Sequence, residues 1–544
     1  GHTALGFNTT ADNNTAVGHH SLRANTTASQ NTAVGSKALY SNTTGSQNTV
    51  SGHQALYSNT TGGANVVMGL NAMYFNTTGD NNVAIGRDAL QKNTTASHNT
   101  AVGFQSLDAT TTGGQNTSIG GSVLTTNTTG ANNTGLGFAA LAGNTTASNN
   151  TGIGHSALRA NTTGVSNVAV GLQSLYANTT GASNVAVGTS ALGSNTTASS
   201  NTAVGHDALT ANTTGADNVA VGYRSLYNNT TANNNTAVGK TALYANTTGV
   251  SNTAIGRGVM EQNTTGYNNT ASGHIALISN TTGYDNIAYG AYSLQANTTG
   301  ADNTSVGKSA LYANTTGNGN TAVGRNALTV NTTAGSNAAF GSNTLKSCTT
   351  GEANASFGAY ASFSSTTGTC NTTIGANAGY YITNGSGNVV VGSQTHAGAY
   401  SPVANVTSED NRVVMGSTNV TNAYIKVAWT VTSDQRDKAD ITDFTHGLDY
   451  INELRPVNYV WDERSNYADG ISDGSKKKDL PQLGFLAQEI EAVETSLGIT
   501  NNCVVDKEDV DNLKITETKL IPILVNAIQE LSAKNDALET QNAT

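Results

Sequence analysis

The stretch "NTAVGHHSLRANTTASQ", residues 14–30, is followed at once by "NTAVGSKALYSNTTGSQ", residues 31–47, and this repetition decides the architecture. The opening Asn recurs every 17 residues from Asn14 to Asn388, 22 steps without a slip. The unit reads N-T-A-V-G-x-x-A-L-x-x-N-T-T-G-x-x, two short segments separated by turn residues. A fixed period this short marks a repeat architecture, and a unit this small cannot bury its apolar positions alone. The fold expected is mainly β: a parallel β-solenoid or β-roll in which each unit adds one turn. At about 4.7–4.8 Å per turn the stack extends roughly 110 Å.

The columns of the unit support this reading. The second column exchanges Thr for Val or Ile (Thr15, Val66, Val83, Thr100, Ile287), residues that suit a half-buried pleated surface. The third is small (Ala16, Ala84, Gly135, Ala169), as expected where another backbone or subunit comes close. The fourth is apolar nearly throughout (Val17, Met68, Ile119, Phe340), and Leu at the ninth (Leu22, Leu39, Leu107) supplies a second apolar stripe. Gly at the fifth punctuates a turn. Pro is absent from every repeat, as a continuous ladder requires. Asn at the first and twelfth columns falls on the Asn of the neighbouring turn, where stacked amides hydrogen-bond along the stack.

Charge divides the chain. Residues 1–424 hold 12 Lys/Arg and 12 Asp/Glu, so the whole formal charge of −10 belongs to the last 120 residues. A neutral repeat followed by an acidic terminus gives no footprint for nucleic acid. No run of apolar residues is long enough to span a membrane. Twelve dispersed acids give no convincing carboxylate pair for glycoside hydrolysis. Cys348, Cys370 and Cys503 read as free thiols, with a Cys348–Cys370 bridge the alternative. Gly1 falls in mid-repeat, so an upstream portion is expected.

Three further readings attach to the repeat. Most units carry Asn-Thr-Thr, formally an N-glycosylation acceptor, although Thr110, Cys348 and Ser365 replace that Asn without breaking register. Consecutive threonines leave no evident double row for ice binding. Six histidines share the sixth column (His2, His19, His53, His155, His206, His274), but Ser36, Leu70, Arg87 and Phe104 occupy it too. It reads as a tolerant, solvent-facing position, and neither a metal nor a cofactor is assigned. Tyrosines of the tenth column (Tyr40, Tyr57, Tyr74, Tyr227, Tyr244) either stack on sugar rings or shield the Leu column.

The period vanishes after residue 392, Pro returns, and both tryptophans (Trp429, Trp461) lie beyond it. The expected organisation is a shaft over 1–392, a transition segment with a last strand-like repeat at "NRVVMG" over 393–424, and a small α+β domain over 425–544. Residues 423–432 alternate like a strand. "HGLDYINELRPV" spaces Leu448, Ile451 and Leu454 on one helical face, and "GFLAQEIEAV" reads as a second helix. Ile521, Leu524, Ile528, Leu531, Asn535 and Leu538 follow the seam spacing of a coiled coil with one polar core position, which favours self-association.

The repeat resembles the β-roll heads of trimeric bacterial adhesins and similar repeats in phage tail fibres. The terminal 120 residues carry Ser433, Asp434, Arg436 and Lys438, then Leu448, Ile451, Leu454, Pro456 and Val457, then Gly484, Phe485, Ala487, Gln488 and Glu489, and close with "KLIPILVNAIQELSAKNDALE". This order resembles the endosialidase-type intramolecular chaperone of phage tail spikes and fibres. The resemblance implies a homotrimeric fibre in the virion tail, with a host cell-surface glycan or receptor as partner. Its terminal domain is expected to trimerise the chain, guide the shaft into register and then cut itself off between Thr432 and Ser433. Ser433 is the implied nucleophile and Lys438 its base, with Asp434 and Arg436 in support; a neutral lysine requires burial or a neighbouring cation such as Arg436. Without the resemblance, the same residues read as a polar turn capped by Ser433 and Asp434. A bacterial surface filament or adhesin carrying the same domain is the rival reading.

Overall fold

In the computed structural model each 17-residue unit closes one turn of a coil. The structure describes the chain apart from residues 395–401, 419, 421–422, 425, 427–430, 463, 465–466, 468–469, 501–502, 508–509, 512 and 544. Two compact units result, Gly1–Ala423 and Tyr424–Thr544.

The first unit is one parallel sheet of 24 three-residue strands, from β1 (Thr15–Val17) to β24 (Val413–Met415). Each strand pairs with its counterpart one unit on, as in Ala169↔Ala186. Only the second to fourth columns are extended. The "x-x-A-L" segment, the second of the unit's two short segments, is a run of tight turns. Residues of the seventh and ninth columns adopt left-handed backbone there, such as Asp207 (φ 57°) and Leu209 (φ 53°). Non-glycine residues hold such angles only where surrounding structure dictates them. Here turn-to-turn bonds do so: Leu209 N–H donates to Ser225 O at 2.9 Å and Asp207 N–H to Thr189 O at 3.0 Å. Gly205 is obligatory for a different reason. Its φ is 140°, and a Cβ would sit 2.5 Å from Gly222 O of the next turn.

The interior differs from the sequence expectation in one respect. The ninth-column leucines are fully buried, together with the small residues of the third and eighth columns, as Leu209, Ala203 and Ala208 show. The fourth column, expected to be a buried stripe, faces outward: Val17 is 56% exposed, Ile119 40% and Ile255 46%. Alternation along a strand puts the first and third columns on one face and the second and fourth on the other. The inner face takes mostly small side chains, with valine the largest, as at Val50 and Val67. A Cβ on Gly152 would lie 3.1 Å from Leu141 Cγ, and one on Gly135 would lie 2.4 Å from Val123 Cγ1.

Both Asn columns are buried, and their amides form ladders along the stack. Asn178 Nδ2 donates to Asn161 Oδ1 of the preceding turn at 2.8 Å and to Gly181 O at 2.9 Å. In the first column Asn184 N–H donates to Asn167 Oδ1 at 3.0 Å, and Asn184 Nδ2 donates to Ala198 O at 2.9 Å. Thr110 and Cys348 interrupt the twelfth-column ladder, and the acceptors left over, Asn93 Oδ1 and Asn331 Oδ1, have no partner. Beyond Cys348 the column holds Ser365 and then Ile382, which packs with Val390, Val406 and Val414 in a separate small core. The last turn is 24 residues long. Val389 N–H bonds Arg412 O, so Arg412 rather than Asn411 takes the Asn position of that turn.

The second unit contains α1 (Leu448–Glu453), β25 (Val457–Tyr459), β26 (Gln482–Gly484), α2 (Ala487–Ser496), β27 (Val505–Asp506), β28 (Lys514–Ile515) and α3 (Leu520–Ala543). β25 pairs antiparallel with β26, and β27 with β28. Its core is Tyr450, Ile490, Val493, Val504, Val505, Leu520 and Ile523. Tyr450, outside the helical face the sequence pattern singled out, is its most deeply buried large side chain. The tyrosine hydroxyl donates to buried Glu494 Oε1 at 3.2 Å, and Val504 N–H donates to the same oxygen at 2.6 Å. Burial and the Glu494 charge push the Tyr450 phenol well above its usual range. Of the strand expected over 423–432, residues 425 and 427–430 lie outside the described residues, and Ala423, Tyr424, Lys426, Val431 and Thr432 are not in a strand.

Candidate functional site

Ser433 to Lys438 form one exposed polar turn at the start of the second unit. Asp434 caps a short 3₁₀ helix, Gln435–Asp437, by accepting from Arg436 N–H at 2.9 Å. Arg436 returns its guanidinium to the same carboxylate, Nη2 donating to Oδ2 at 2.6 Å and Nε to Oδ1 at 3.1 Å. The Arg436 side chain, and then its backbone N–H, hold Asp434 below the usual carboxylate range, and Asp434 raises Arg436 in turn. The tight turn brings the two ends of the motif together: Lys438 Nζ donates to Ser433 Oγ at 2.6 Å. Thr432, Ser433 and Lys438 are all exposed.

The sequence-derived roles meet this geometry unevenly. Ser433 and Lys438 touch, and Asp434 and Arg436 form the turn that makes them touch. The two causes invoked for a neutral lysine are missing from the single chain. Lys438 is not buried, and the Arg436 charge is paired with Asp434.

The remaining motif residues shape the domain behind this turn. Arg455 forms a forked pair with Glu489, Nε donating to Oε2 at 3.1 Å, which ties the segment after α1 to the first turn of α2. Gly484 pairs with Val457, and a Cβ there would meet the Tyr459 ring at 3.3 Å. The terminal helix α3 is held by Leu448 N–H donating to Glu530 Oε2 at 3.0 Å and by Asn526 Nδ2 donating to Phe444 O at 3.0 Å. One face of α3 is covered (Leu520, Ile523, Ala527), while the coiled-coil positions Ile521, Leu524, Ile528, Leu531 and Leu538 lie exposed. No sequence signal marked Asn526 or Glu530 as docking residues, because their partners are backbone groups some 80 residues away in the chain.

On the shaft, the Asn-Thr-Thr amides are committed. Asn25 is buried, with Nδ2 bonded to Asn8 Oδ1 and Ala28 O, so the folded shaft withholds the nitrogen that glycosylation would use. The tenth-column tyrosines stack on one another, Tyr40 on Tyr57 at 4.9 Å and Tyr57 on Tyr74 at 5.0 Å between ring centroids. Their ring faces cover each other rather than a sugar. The cysteines are free, Cys348 buried and Cys370 exposed. Among the described residues no helix is long and apolar enough to cross a membrane.

Residues 433–499 match the family described as Chaperone of endosialidase. No curated protein matches the chain, and no solved structure does. The matched segment starts at Ser433 and takes in the polar turn, α1, β25, β26 and α2. The chain thus carries a chaperone-of-endosialidase domain after a long parallel β-solenoid, a combination that fits a tail fibre or spike with a C-terminal chaperone.

Proposed function

We propose that this chain is the distal part of a homotrimeric phage tail fibre whose terminal domain assembles three copies, sets their shafts in register and then releases itself by cutting between Thr432 and Ser433. The observation that carries the cleavage is the Lys438–Ser433 contact at 2.6 Å, made by the first residue of the matched segment. In the reaction, neutral Lys438 takes the Ser433 hydroxyl proton and Oγ attacks the Thr432 carbonyl carbon. The C–N bond breaks, the proton passes to the departing Ser433 nitrogen, and Thr432 is left as an ester on Oγ. Water hydrolyses that ester to a Thr432 carboxylate, restoring the serine hydroxyl.

The requirement for a neutral lysine connects cleavage to assembly. Lys438 is exposed in one chain, and packing of the domain against other copies removes it from water, which favours its uncharged form. The bare stripe of α3 supports such packing, and so does the outward apolar fourth column of the shaft. That column runs in register along the sheet and bears no charged residue from Val17 to Val391. Identical turns specify register weakly, because a slip of one unit keeps nearly every contact. Joining the C-terminal ends first removes the ambiguity, and cleavage then makes the assembled state irreversible.

The test is intact mass after full denaturation, on the parent chain beside Ser433→Ala and Lys438→Met. A break between Thr432 and Ser433 in the parent alone supports self-processing. An uncut parent reduces the domain to a permanent trimerisation clamp. Display on a bacterial surface is the other setting compatible with the same domain, and the location of the mature fibre on virions or on cells separates the two.

A further inference from the structure

The sixth column behaves as a tolerant outer position along most of the shaft. His53, His155, His206 and His274 each stand alone there, with other residue types one turn above and below. Some have other partners: His206 Nδ1 lies 3.1 Å from Asp207 Oδ2, and His155 stacks on Phe138. Only His2 and His19 occupy the column in consecutive turns, and His20 follows in the seventh column. Their rings converge. His2 and His19 lie 5.7 Å apart between centroids, inclined by 27°, and the His20 ring sits across both, 5.9 Å from His2 and 3.8 Å from His19. One imidazole nitrogen from each lies within 4.8 Å of the other two. Three nitrogens bound to zinc at about 2.0–2.1 Å stand roughly 3.3–3.5 Å from one another, so modest side-chain rotation closes the set.

We propose that His2, His19 and His20 form a binding site for one divalent transition-metal ion that clamps two successive turns of the shaft. The donor chemistry defines the class of ion. Three imidazoles with no carboxylate or thiolate suit zinc, nickel or copper, and exclude the hard calcium and magnesium ions. The backbone already joins the two turns, His20 N–H donating to His2 O at 3.0 Å. The Thr3 hydroxyl hydrogen-bonds His20 Nδ1, which leaves Nε2 free as a ligand atom and restrains the ring as outer partners restrain metal-bound imidazoles. Desolvation, then the neighbouring His19, Arg23, His2 and Lys37, hold His20 below the usual imidazole range. The two nearby cations oppose the bound charge, but the Arg23 guanidinium is drawn over the Phe7 and Tyr40 rings. His2 and His19 are exposed, which leaves the remaining coordination positions to water. Among the described residues no other trio of His, Cys, Asp or Glu is placed to share an ion.

The experiment is calorimetric titration of zinc chloride into the full chain at pH 7.5 and pH 5, with cobalt(II) absorption as a spectroscopic readout of nitrogen ligation. The parent is expected to bind one ion per chain at pH 7.5 and to lose it at pH 5. His19→Ser, which borrows the residue found at Ser36 in the next turn, and His20→Gln are expected to weaken binding by more than about tenfold, since losing a ligand exceeds losing an outer partner. His53→Ser, at a lone position of the same column, leaves binding unchanged. A parent that binds no zinc overturns the proposal, as does affinity retained in both His19→Ser and His20→Gln, or an equal loss in His53→Ser.

Discussion

At the scale of single residues, the buried ladders carry the sharpest consequences. Each twelfth-column amide donates to the turn before it and accepts from the turn after it, so one substitution orphans a neighbour. Thr110 does this to Asn93 Oδ1, and Cys348 to Asn331 Oδ1. Thr110→Asn restores a donor to Asn93 and is expected to stabilise the shaft by about 1 kcal/mol, whereas Asn178→Ala breaks an intact ladder and is expected to cost about 1–3 kcal/mol. Denaturant unfolding of both variants against the parent checks the pair. Cys348 makes a second prediction. Burial pushes its thiol from 9.0 up to about 11. The unfolded chain therefore releases this proton at lower pH than the folded one, so its contribution is complete below pH 9 and is lost as pH rises from 9 towards 11. At about 1.4 kcal/mol per pH unit the loss approaches roughly 2–3 kcal/mol. The difference in stability between parent and Cys348→Ser, measured at pH 8.5 and 10.5, isolates it.

At the scale of elements, the sheet and the terminal helix share one feature, an apolar row on the side that the chain's own core does not cover. On the sheet it is the fourth column, and on α3 it is Ile521, Leu524, Ile528, Leu531 and Leu538. Ile255→Asp changes an outward side chain of one strand, so the turn retains its interior of Ala254, Met260 and Asn252. The expected outcome is an unchanged far-ultraviolet circular dichroism spectrum with weakened association of the shaft, read by analytical ultracentrifugation. A fourth column that packs only against solvent would leave the sedimentation profile unaltered.

At the scale of the whole molecule, the proposed function makes cleavage depend on assembly through Lys438. Ile528→Asp leaves Ser433 and Lys438 untouched and disrupts the bare stripe of α3. If burial between copies activates the lysine, this variant remains both unassembled and uncut, although its Lys438–Ser433 contact is intact. Cleavage at the parental rate in an unassociated Ile528→Asp chain would show that activation arises within one chain. Mass spectrometry after denaturation and sedimentation before it, on the same preparation, read the two properties together.

The sequence by itself determined the solenoid, its number of turns and the polar ladders, because a strict period forces equivalent residues to lie above one another. It also marked Ser433, Asp434, Arg436 and Lys438, whose short spacing lets one turn bring them together. What only the tertiary structure decided was which face of each strand is inside. Period-two alternation groups Val17 with Thr15 and Ala16 with Asn14, but apolar character points to the valine as the buried member. The coil reverses that choice, because ninth-column leucines and two rows of Asn amides already fill much of its narrow section and leave the third column space for nothing larger than valine. The left-handed turn at Leu209 was equally hidden, since leucine does not favour that backbone and bonds to the adjacent turn hold it. The meeting of His2, His19 and His20 depends on the same stacking. A column that looks merely variable along the chain becomes a cluster where two consecutive turns place imidazoles side by side.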